Sequence, residues 1–372
     1  ASDVDSYDGD GDVWYDIHDF EFKPTTNVAQ HFNTVLYTGD NNTVAQQITN
    51  VGFTPDLVWI KTKNQGTRHI LTDSERGVSS QLFSNETFAA QDYAEFTSFD
   101  NDGFTVKRNT GTDYLNQSGI DYVAWCFKAG GAAVLNEEGD IDSQVSANND
   151  LGFSIVSYTG NNSFGQTVGH GLDVQPQMVI YKNLSNARNW RTYVEAIGAT
   201  KYLNLDGTSS GTYGSFNNTS PTSTVFSTTN SVADRATNFN GDNFIAYCFT
   251  SKRGVSKVGS YAGGAAGNKI YTGFEPALVI AKNTTTGSWE MYDNARGKTK
   301  KLWVNESSQE VTNTSPSYIE FNRDGFTFPI TSGGSNSSGN SYIYYAVAKN
   351  TNETSLIPDT DLELHLDAAS FD

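Results

Sequence analysis

Alternating carboxylates near the start of the chain form the pattern best suited to binding a metal ion. Asp8, Asp10 and Asp12 are separated by single glycines, and side chains spaced in this way can fold around Ca²⁺ as in the first half of a calcium loop. The glutamate expected at the last position of an EF-hand loop is replaced by Asp19. The pattern predicts either a Ca²⁺ site or a solvated acidic segment, and no other cofactor is expected.

The histidines and cysteines do not form a recognised catalytic pattern. None of the five histidines has a metal-site spacing such as His-Glu-x-x-His, and no Walker loop or dinucleotide fingerprint is present. No nucleophile elbow stands between a strand and a helix. Cys126 and Cys248 occupy equivalent positions of two separate copies of a repeat. They are expected to be buried free thiols, because the Cα atoms of a disulfide must lie within about 7 Å.

The chain repeats one pattern three times, and this repeat decides how single residues are interpreted. Each copy opens with a strand that carries a tyrosine two residues before a glycine, followed by a proline with a lysine six residues later. A histidine or tryptophan then precedes a glycine and a leucine at fixed spacing, and an Asn-x-x-Gly turn leads into a last apolar strand. The first residues of these landmarks are Tyr37, Pro55, His69 and Asn116 in copy one, Tyr158, Pro176, Trp190 and Asn238 in copy two, and Tyr261, Pro276, Trp289 and Asn336 in copy three.

The repeat and the composition together predict an all-β fold. Thr, Ser, Asn, Val, Tyr and Phe are abundant, there are 34 glycines, and no long stretch has the periodicity of a helix. We predict three tandem β-sandwich-like repeats at residues 31–129, 152–250 and 255–350, either as separate domains or as one pseudo-threefold body. Residues 130–151 are interpreted as a linker, and residues 1–30 as an acidic N-terminal segment.

Carboxylates that recur between the copies are better explained as structural than as catalytic. Asp73 and Asp293 match each other, and copy two offers Glu195 one position later. A pair of catalytic carboxylates, as in a glycosidase, is seldom repeated in this way, whereas an acid that caps a turn often is. No catalytic residue is therefore assigned, and an enzyme is not expected.

One aromatic slot of the repeat could serve either packing or binding. His69 in copy one stands where Trp190 and Trp289 stand in the other copies. Such a position suits a packing residue or a surface aromatic, not a general base. If the two tryptophans were exposed, they would be platforms on which a sugar ring could stack.

The charge of the chain disfavours two classes of partner. The sequence has 24 basic and 42 acidic side chains, a formal net charge of −18, whereas nucleic acids and anionic membranes are bound by clusters of Lys and Arg. No run of 18 apolar residues is present, so membrane insertion is not expected.

An alternating apolar run near the end of the chain predicts a strand. Leu362, Leu364 and Leu366 would lie on one face of it. Within residues 351–372 this strand is expected to be an arm that adds to a neighbour's sheet, the start of a further domain, or a frayed end. The first two interpretations imply assembly.

Several motifs resemble a repeat domain of unknown function found in large virion structural proteins of tailed, mainly marine, phages. They are Gly-Phe-x-Pro-x-Leu-Val-x-x-Lys at 52–61 and 273–282, Tyr-Val-Ala-Trp-Cys-Phe-Lys-Ala-Gly-Gly at 122–131 and Tyr-Thr-Gly-Asn at 158–161. The resemblance covers residues 31–350 and carries no catalytic residues to transfer. In that family a laminin-G-like, concanavalin A-like domain often follows, and its opening strand resembles residues 362–369.

Together these observations favour a non-enzymatic phage virion protein at the particle surface, serving as a fibre, a decoration or a receptor-binding component. We expect it to form a homo-oligomer, with a trimer as one arrangement, and to contact other virion proteins and a host-surface glycan or receptor. One alternative is a carbohydrate-binding adhesin module, and the other is an extracellular cell-surface or filament subunit.

Overall fold

The computed structural model describes residues 27–109, 115–212, 214–229, 236–331 and 334–350, and the backbone of two short strands nearer the start of the chain. This part contains no α-helix, only two 3₁₀ turns at Val28–Gln30 and Glu195–Ile197. No described helix is long and apolar enough to cross a membrane. All ladders between the named strands are antiparallel, so the predicted all-β fold class is confirmed.

Each repeat is built around four strands in the same spatial order. The order is the Tyr-x-Gly strand, the last apolar strand, the strand from the proline to the lysine, and the strand after the histidine or tryptophan. These are β3 (Phe32–Thr38), β11 (Asp121–Phe127), β5 (Leu57–Thr62) and β6 (Ile70–Asp73) in repeat 1, β14 (Phe153–Thr159), β21 (Asn243–Phe249), β16 (Met178–Asn183) and β17 (Arg191–Val194) in repeat 2, and β22 (Ser256–Ala262), β30 (Ser341–Ala348), β24 (Pro276–Asn283) and β25 (Glu290–Asp293) in repeat 3.

A smaller sheet covers one face of each four-stranded core, which gives every repeat a β-sandwich-like form. Repeats 1 and 3 have three strands in it, and repeat 2 has two. The small sheets are β4 (Gln46–Ile48), β10 (Gly103–Val106) and β9 (Phe96–Asp100), then β15 (Thr167–Gly169) and β20 (Val225–Ser227), then β23 (Asn268–Tyr271), β29 (Gly325–Phe328) and β28 (Glu320–Asn322). The other short strands are β1 (Ser6–Tyr7), β2 (Val13–Trp14), β7 (Ser80–Gln81), β8 (Gln91–Asp92), β18 (Tyr202–Asn204), β19 (Ser210–Gly211), β26 (Lys300–Trp303) and β27 (Val311–Thr312).

The strand from the proline to the lysine is buried on both faces. In β5, Val58 and Ile60 belong to the core of repeat 1, while Leu57 and Trp59 belong to a cluster shared with the other repeats. Side chains of a strand alternate between the faces of its sheet. The continuous apolar run in the sequence is therefore the signature of a strand that contacts its own sandwich on one side and neighbouring repeats on the other.

The three repeats form one body around a common apolar core. A single cluster of buried side chains contains residues of all three. Direct ring contacts join Phe127 to Phe153, with centroids 5.6 Å apart, and Phe249 to Tyr345, with centroids 4.7 Å apart. Of the two arrangements left open by the sequence, the described structure has the pseudo-threefold body and not separate domains.

The segment expected to be a linker differs from that expectation. Within residues 130–151, β12 (Val134–Asn136) pairs with β13 (Ser143–Asn148), and β13 pairs with β14 of repeat 2. Its apolar side chains are spread among polar ones, so the sequence looks like a solvated connection. Ile141 and Val145 nevertheless point into the core of repeat 2, and the hairpin extends that sheet to eight strands.

Two of the repeated motifs contact each other in every copy. The glycine of the Tyr-x-Gly motif lies against the backbone of the Asn-x-x-Gly turn, so that a Cβ atom on Gly39 would lie 2.2 Å from the Gln117 carbonyl oxygen. Gly160 and Gly263 are equally close to the backbone of their own turns. The Asn116 side-chain oxygen also accepts a hydrogen bond from the Asp40 amide at 2.8 Å. The two motifs therefore join the end of the first strand of each repeat to the turn that precedes its last strand.

Repeats 1 and 3 share an Asp-Gly-Phe triplet, at 102–104 and 324–326, whose glycine is required by a similar close approach. A Cβ atom on Gly103 would lie 1.9 Å from the Ile48 carbonyl oxygen, and one on Gly325 would lie 2.0 Å from that of Ile270. Replacing Gly103 with alanine should therefore lower the free energy of unfolding by about 1–3 kcal/mol, because a neighbouring strand must move. Chemical denaturation measures this change.

Gly207 provides the matched control for that substitution. A Cβ atom there would meet nothing closer than 3.9 Å, so Gly207→Ala should change the free energy of unfolding by no more than about 0.5 kcal/mol. Equal effects of the two substitutions would contradict the close-approach explanation.

Candidate functional site

The predicted site residues fall into two groups. Asp8, Asp10 and Asp12, predicted for Ca²⁺, and the assembly candidates Leu362, Leu364 and Leu366 lie outside the described residues. His69, Trp190 and Trp289 lie within them, at the contacts between repeats. Among the described residues, no group of three or more His, Cys, Asp or Glu side chains is placed to hold a metal ion.

His69, Trp190 and Trp289 each close one joint between two repeats. The Trp190 Nε1 group donates to the Phe83 carbonyl oxygen of repeat 1 at 3.0 Å, and the Trp289 Nε1 group donates to the Asn204 carbonyl oxygen of repeat 2 at 2.8 Å. His69 Nε2 lies 2.9 Å from the Trp303 carbonyl oxygen of repeat 3. The acceptors are equivalent positions, so the three contacts run around the body and close it as a ring.

The joint at His69 uses an uncharged imidazole as the donor, where the other two joints use the N–H group of a tryptophan. His69 Nδ1 accepts a hydrogen bond from the Trp59 Nε1 group at 2.9 Å, so the ring proton is on Nε2 and is donated to the Trp303 carbonyl. Burial lowers the pKa of His69 well below its ordinary value, and the positive charge of Lys61 lowers it further. Trp59 and His69 of repeat 1 form a hydrogen-bonded pair. The equivalent pairs are Ile180 with Trp190 in repeat 2 and Ile280 with Trp289 in repeat 3.

Of the two roles left open for this aromatic slot, the structure contradicts the surface role. Trp190 is 0%, Trp289 1% and His69 0% exposed. They cannot serve as platforms for a sugar, because their rings pack into the shared core and their N–H groups are used between repeats. The alternative that the sequence left open, a packing role, is the one found.

Two buried ion pairs form a second set of contacts between repeats. In repeat 1, Asp73 accepts from the Arg76 backbone amide at 2.9 Å and from Arg76 Nε at 2.7 Å, so it caps the turn as predicted. The same carboxylate accepts from the Tyr247 hydroxyl of repeat 2 at 2.6 Å. Asp293 and Arg296 repeat this geometry, with Trp125 of repeat 1 as the donor at 3.0 Å. An Asp-x-x-Arg-Gly pattern in the two copies was the signal from which the sequence could have identified the arginines.

Repeat 2 lacks this ion pair and leaves one hydroxyl without a partner. Val194 and Ile197 occupy the positions equivalent to the aspartate and arginine. Glu195 does not replace the missing acid, because its carboxylate accepts from Gln175 and Gln177 at the surface. Tyr345 of repeat 3 is equivalent to Tyr247, and its buried hydroxyl has no hydrogen-bond partner among the described residues.

The lysine at the end of the proline-to-lysine strand is buried in all three repeats. Lys182 Nζ donates to the Asn183 and Arg188 carbonyls of its own loop and to the Thr87 carbonyl of repeat 1. Lys282 Nζ likewise donates to the Thr208 carbonyl of repeat 2 at 3.3 Å. Burial lowers the pKa of Lys61 and Lys182 to about 7 and that of Lys282 to about 8. No carboxylate lies within ion-pair distance of them in the described part of the chain.

These lysines should make the protein more stable as the pH rises from 7 to 9. In this window the unfolded chain keeps its lysine protons, whose ordinary pKa is 10.5, while the folded chain releases them. Stability rises with pH wherever the unfolded state binds more protons, by at most about 1.4 kcal/mol per pH unit for each lysine. The rise should end at about pH 10, because the lysines of the unfolded chain then lose their protons as well. Burial also raises the pKa of the Cys126 and Cys248 thiols and of the Tyr247 hydroxyl in the folded chain, which opposes the rise.

Denaturation at pH 7, 8 and 9 measures this dependence. Lys182→Met should reduce the slope by removing one titrating group, whatever its effect on stability at pH 7. Lys201→Met, at an exposed lysine, should leave the slope unchanged. A slope that Lys182→Met does not alter would contradict the assignment.

Two cavities associated with the joints differ in character. A small apolar cavity of about 30 Å³ lies where the three repeats meet, between Trp59, Ile180 and Ile280. An open groove of about 800 Å³ lies between repeat 1 and the β12–β13 hairpin, and Glu75 and Asp142 contribute to its lining. Glu75 is occupied by a hydrogen bond from the Ser157 hydroxyl at 2.6 Å.

Comparison with known proteins gives one match. Residues 27–351 match the family described as a domain of unknown function (DUF7483), so the match spans all three repeats. No curated protein and no solved structure is similar to the chain.

Proposed function

Because this chain belongs to the DUF7483 family, whose function is unknown, we propose a function from its geometry and its motifs: a non-enzymatic structural building block of a phage virion. The motifs at 52–61, 122–131 and 273–282 support the virion setting, since they resemble those of virion structural proteins. The three-repeat body would be a fibre, a decoration or a receptor-binding component at the particle surface.

The observation that carries this proposal is the closed ring of joints. Several residues whose types could do chemistry are used to fasten one repeat to the next. They are His69, Asp73, Asp293 and two of the three buried lysines, Lys182 and Lys282. A body in which each repeat contacts both others resists local opening, because separating any pair exposes part of the common core. Such resistance suits a component of a particle that must survive outside a cell.

The composition agrees with a role in an assembly. A net charge of −18 keeps the body soluble and disfavours binding to nucleic acid. We propose copies of the same chain and other virion proteins as partners, with a trimer as one arrangement.

Immunogold electron microscopy tests the proposal. Antibodies against the recombinant chain are applied to the lysate of a culture that produces it, and unrelated antibodies of the same class serve as the control. Gold particles on phage heads, tails or fibres are expected. Gold on cell envelopes or filaments would favour the cell-surface alternative, and gold on neither structure would overturn both.

A further inference from the structure

Repeat 3 contains a groove whose distinctive residues are absent from the equivalent positions of the other repeats. It has a volume of about 410 Å³ and lies between the edge strand β22 of the main sheet and the edge strand β23 of the small sheet. Lys257, Lys269, Tyr271 and Tyr344 contribute to its lining. The volume falls within the range of clefts that bind small ligands.

The floor of the groove depends on a paired substitution between neighbouring strands. In repeats 1 and 2 the facing residues are Val35 with Ala124 and Val156 with Ala246. Repeat 3 has Gly259 facing Tyr344 at this position. A Cβ atom on Gly259 would lie 2.7 Å from the outer end of the Tyr344 ring. The glycine therefore allows the tyrosine to reach beneath the edge strand and line the groove.

An exposed aromatic residue, Tyr271, lies at the rim of the groove, whereas Trp190 and Trp289 are buried. Tyr271 is 62% exposed, and the equivalent position of repeat 1 is Thr49. Lys269 Nζ lies 4.6 Å from the centre of the Tyr271 ring, and Lys257 Nζ donates to the Tyr271 carbonyl at 2.9 Å. Two lysines thus hold this tyrosine at the edge of the groove, and much of its side chain remains open to a ligand.

The groove also offers positive charge on a strongly acidic chain. Lys269 is paired with Asp324 at 2.8 Å, whereas Lys257 has no carboxylate within ion-pair distance in the described part of the chain. The positions equivalent to Lys257 hold Asn33 and Ser154. An exposed ring beside an unpaired ammonium group suits a ligand with both an apolar ring face and a negative charge.

We infer that this groove of repeat 3 binds an acidic carbohydrate, one that carries carboxylate or sulfate groups. A sugar ring stacks on Tyr271, Lys257 holds the anionic group, and the Tyr344 hydroxyl supplies a further polar contact. Burial raises the pKa of Tyr344 to about 12, so its hydroxyl keeps its proton at neutral pH. The inference stands independently of the virion role and would apply equally to a cell-surface protein.

Isothermal titration calorimetry on the full chain tests the inference with four defined probes: oligogalacturonate, heparin oligosaccharides, neutral dextran oligosaccharides and an oligoglutamate peptide. We expect at least one of the acidic sugars to bind, and the neutral sugar and the peptide to bind at least about tenfold more weakly. Tyr271→Ala and Lys257→Gln should each weaken binding of that acidic sugar by about tenfold.

Two further variants separate the groove from general effects. Gly259→Val combined with Tyr344→Ala restores the residue pair of repeats 1 and 2, so it should fold with a similar melting temperature and lose binding. Phe164→Ala, at another aromatic residue that is 73% exposed, should bind normally. Absence of binding to both acidic sugars, equal binding of the peptide, or binding that survives Tyr271→Ala would overturn the inference. None of these results bears on the immunogold experiment.

Discussion

Replacing Asp73 with alanine should lower the free energy of unfolding of the whole chain by about 3–5 kcal/mol. Asp73 is completely buried and neutralises Arg76, whose side chain also donates to the Ser80 and Leu71 carbonyls. Without the carboxylate, the guanidinium would remain buried and uncompensated, and the Tyr247 hydroxyl would lose its acceptor. Urea denaturation of the variant and the wild-type chain, followed by tryptophan fluorescence, measures the difference.

Tyr345 provides the matched control, because its hydroxyl already lacks an acceptor. Tyr345→Phe should leave the free energy of unfolding unchanged or raise it, since the substitution removes a buried unsatisfied group. Tyr247→Phe should lower it by about 1.5–3 kcal/mol, because that hydroxyl is bonded to a charged group. Similar losses for the two substitutions would contradict the proposed difference between the second repeat and the others.

Replacing Trp190 with alanine should also cost about 3–5 kcal/mol. The ring is fully buried and lines the cavity where the repeats meet. The substitution enlarges that cavity and leaves the Phe83 and Glu86 carbonyls of repeat 1 without their donor. Because the core is common to all repeats, the variant should unfold in a single transition at lower denaturant concentration, with an unchanged slope of the transition.

Calorimetry distinguishes this result from the behaviour of separate domains. Independent repeats would give a second transition at the wild-type position, since only repeat 2 would be destabilised. Phe164→Ala, at an exposed site of the same repeat, should change the free energy of unfolding by no more than about 0.5 kcal/mol. A split transition for Trp190→Ala would contradict the common core.

The sequence alone determined the repeat, its all-β class and the equivalence of its positions. The spacing from Pro55 to Lys61 equals that from Pro176 to Lys182. Because the side chains of a strand alternate with a fixed period, equivalent residues then lie on the same face of equivalent strands. For that reason His69 could be recognised as a substitute for tryptophan and not as a general base. The turn-capping role of Asp73 and Asp293 was also within reach, since it depends on contacts three residues away.

Only the tertiary structure decided what the second face of each strand contacts. Leu57 and Trp59 on one face of β5 look the same in sequence whether that face meets solvent, a ligand or another repeat. The joint from His69 to the Trp303 carbonyl spans 234 residues of chain, and no local pattern specifies such a pairing. Trp190 and Trp289 are buried, and the ring of joints closes, because three similar sandwiches pack around one axis. Packing selects which apolar surfaces leave water, and it leaves Tyr271 exposed.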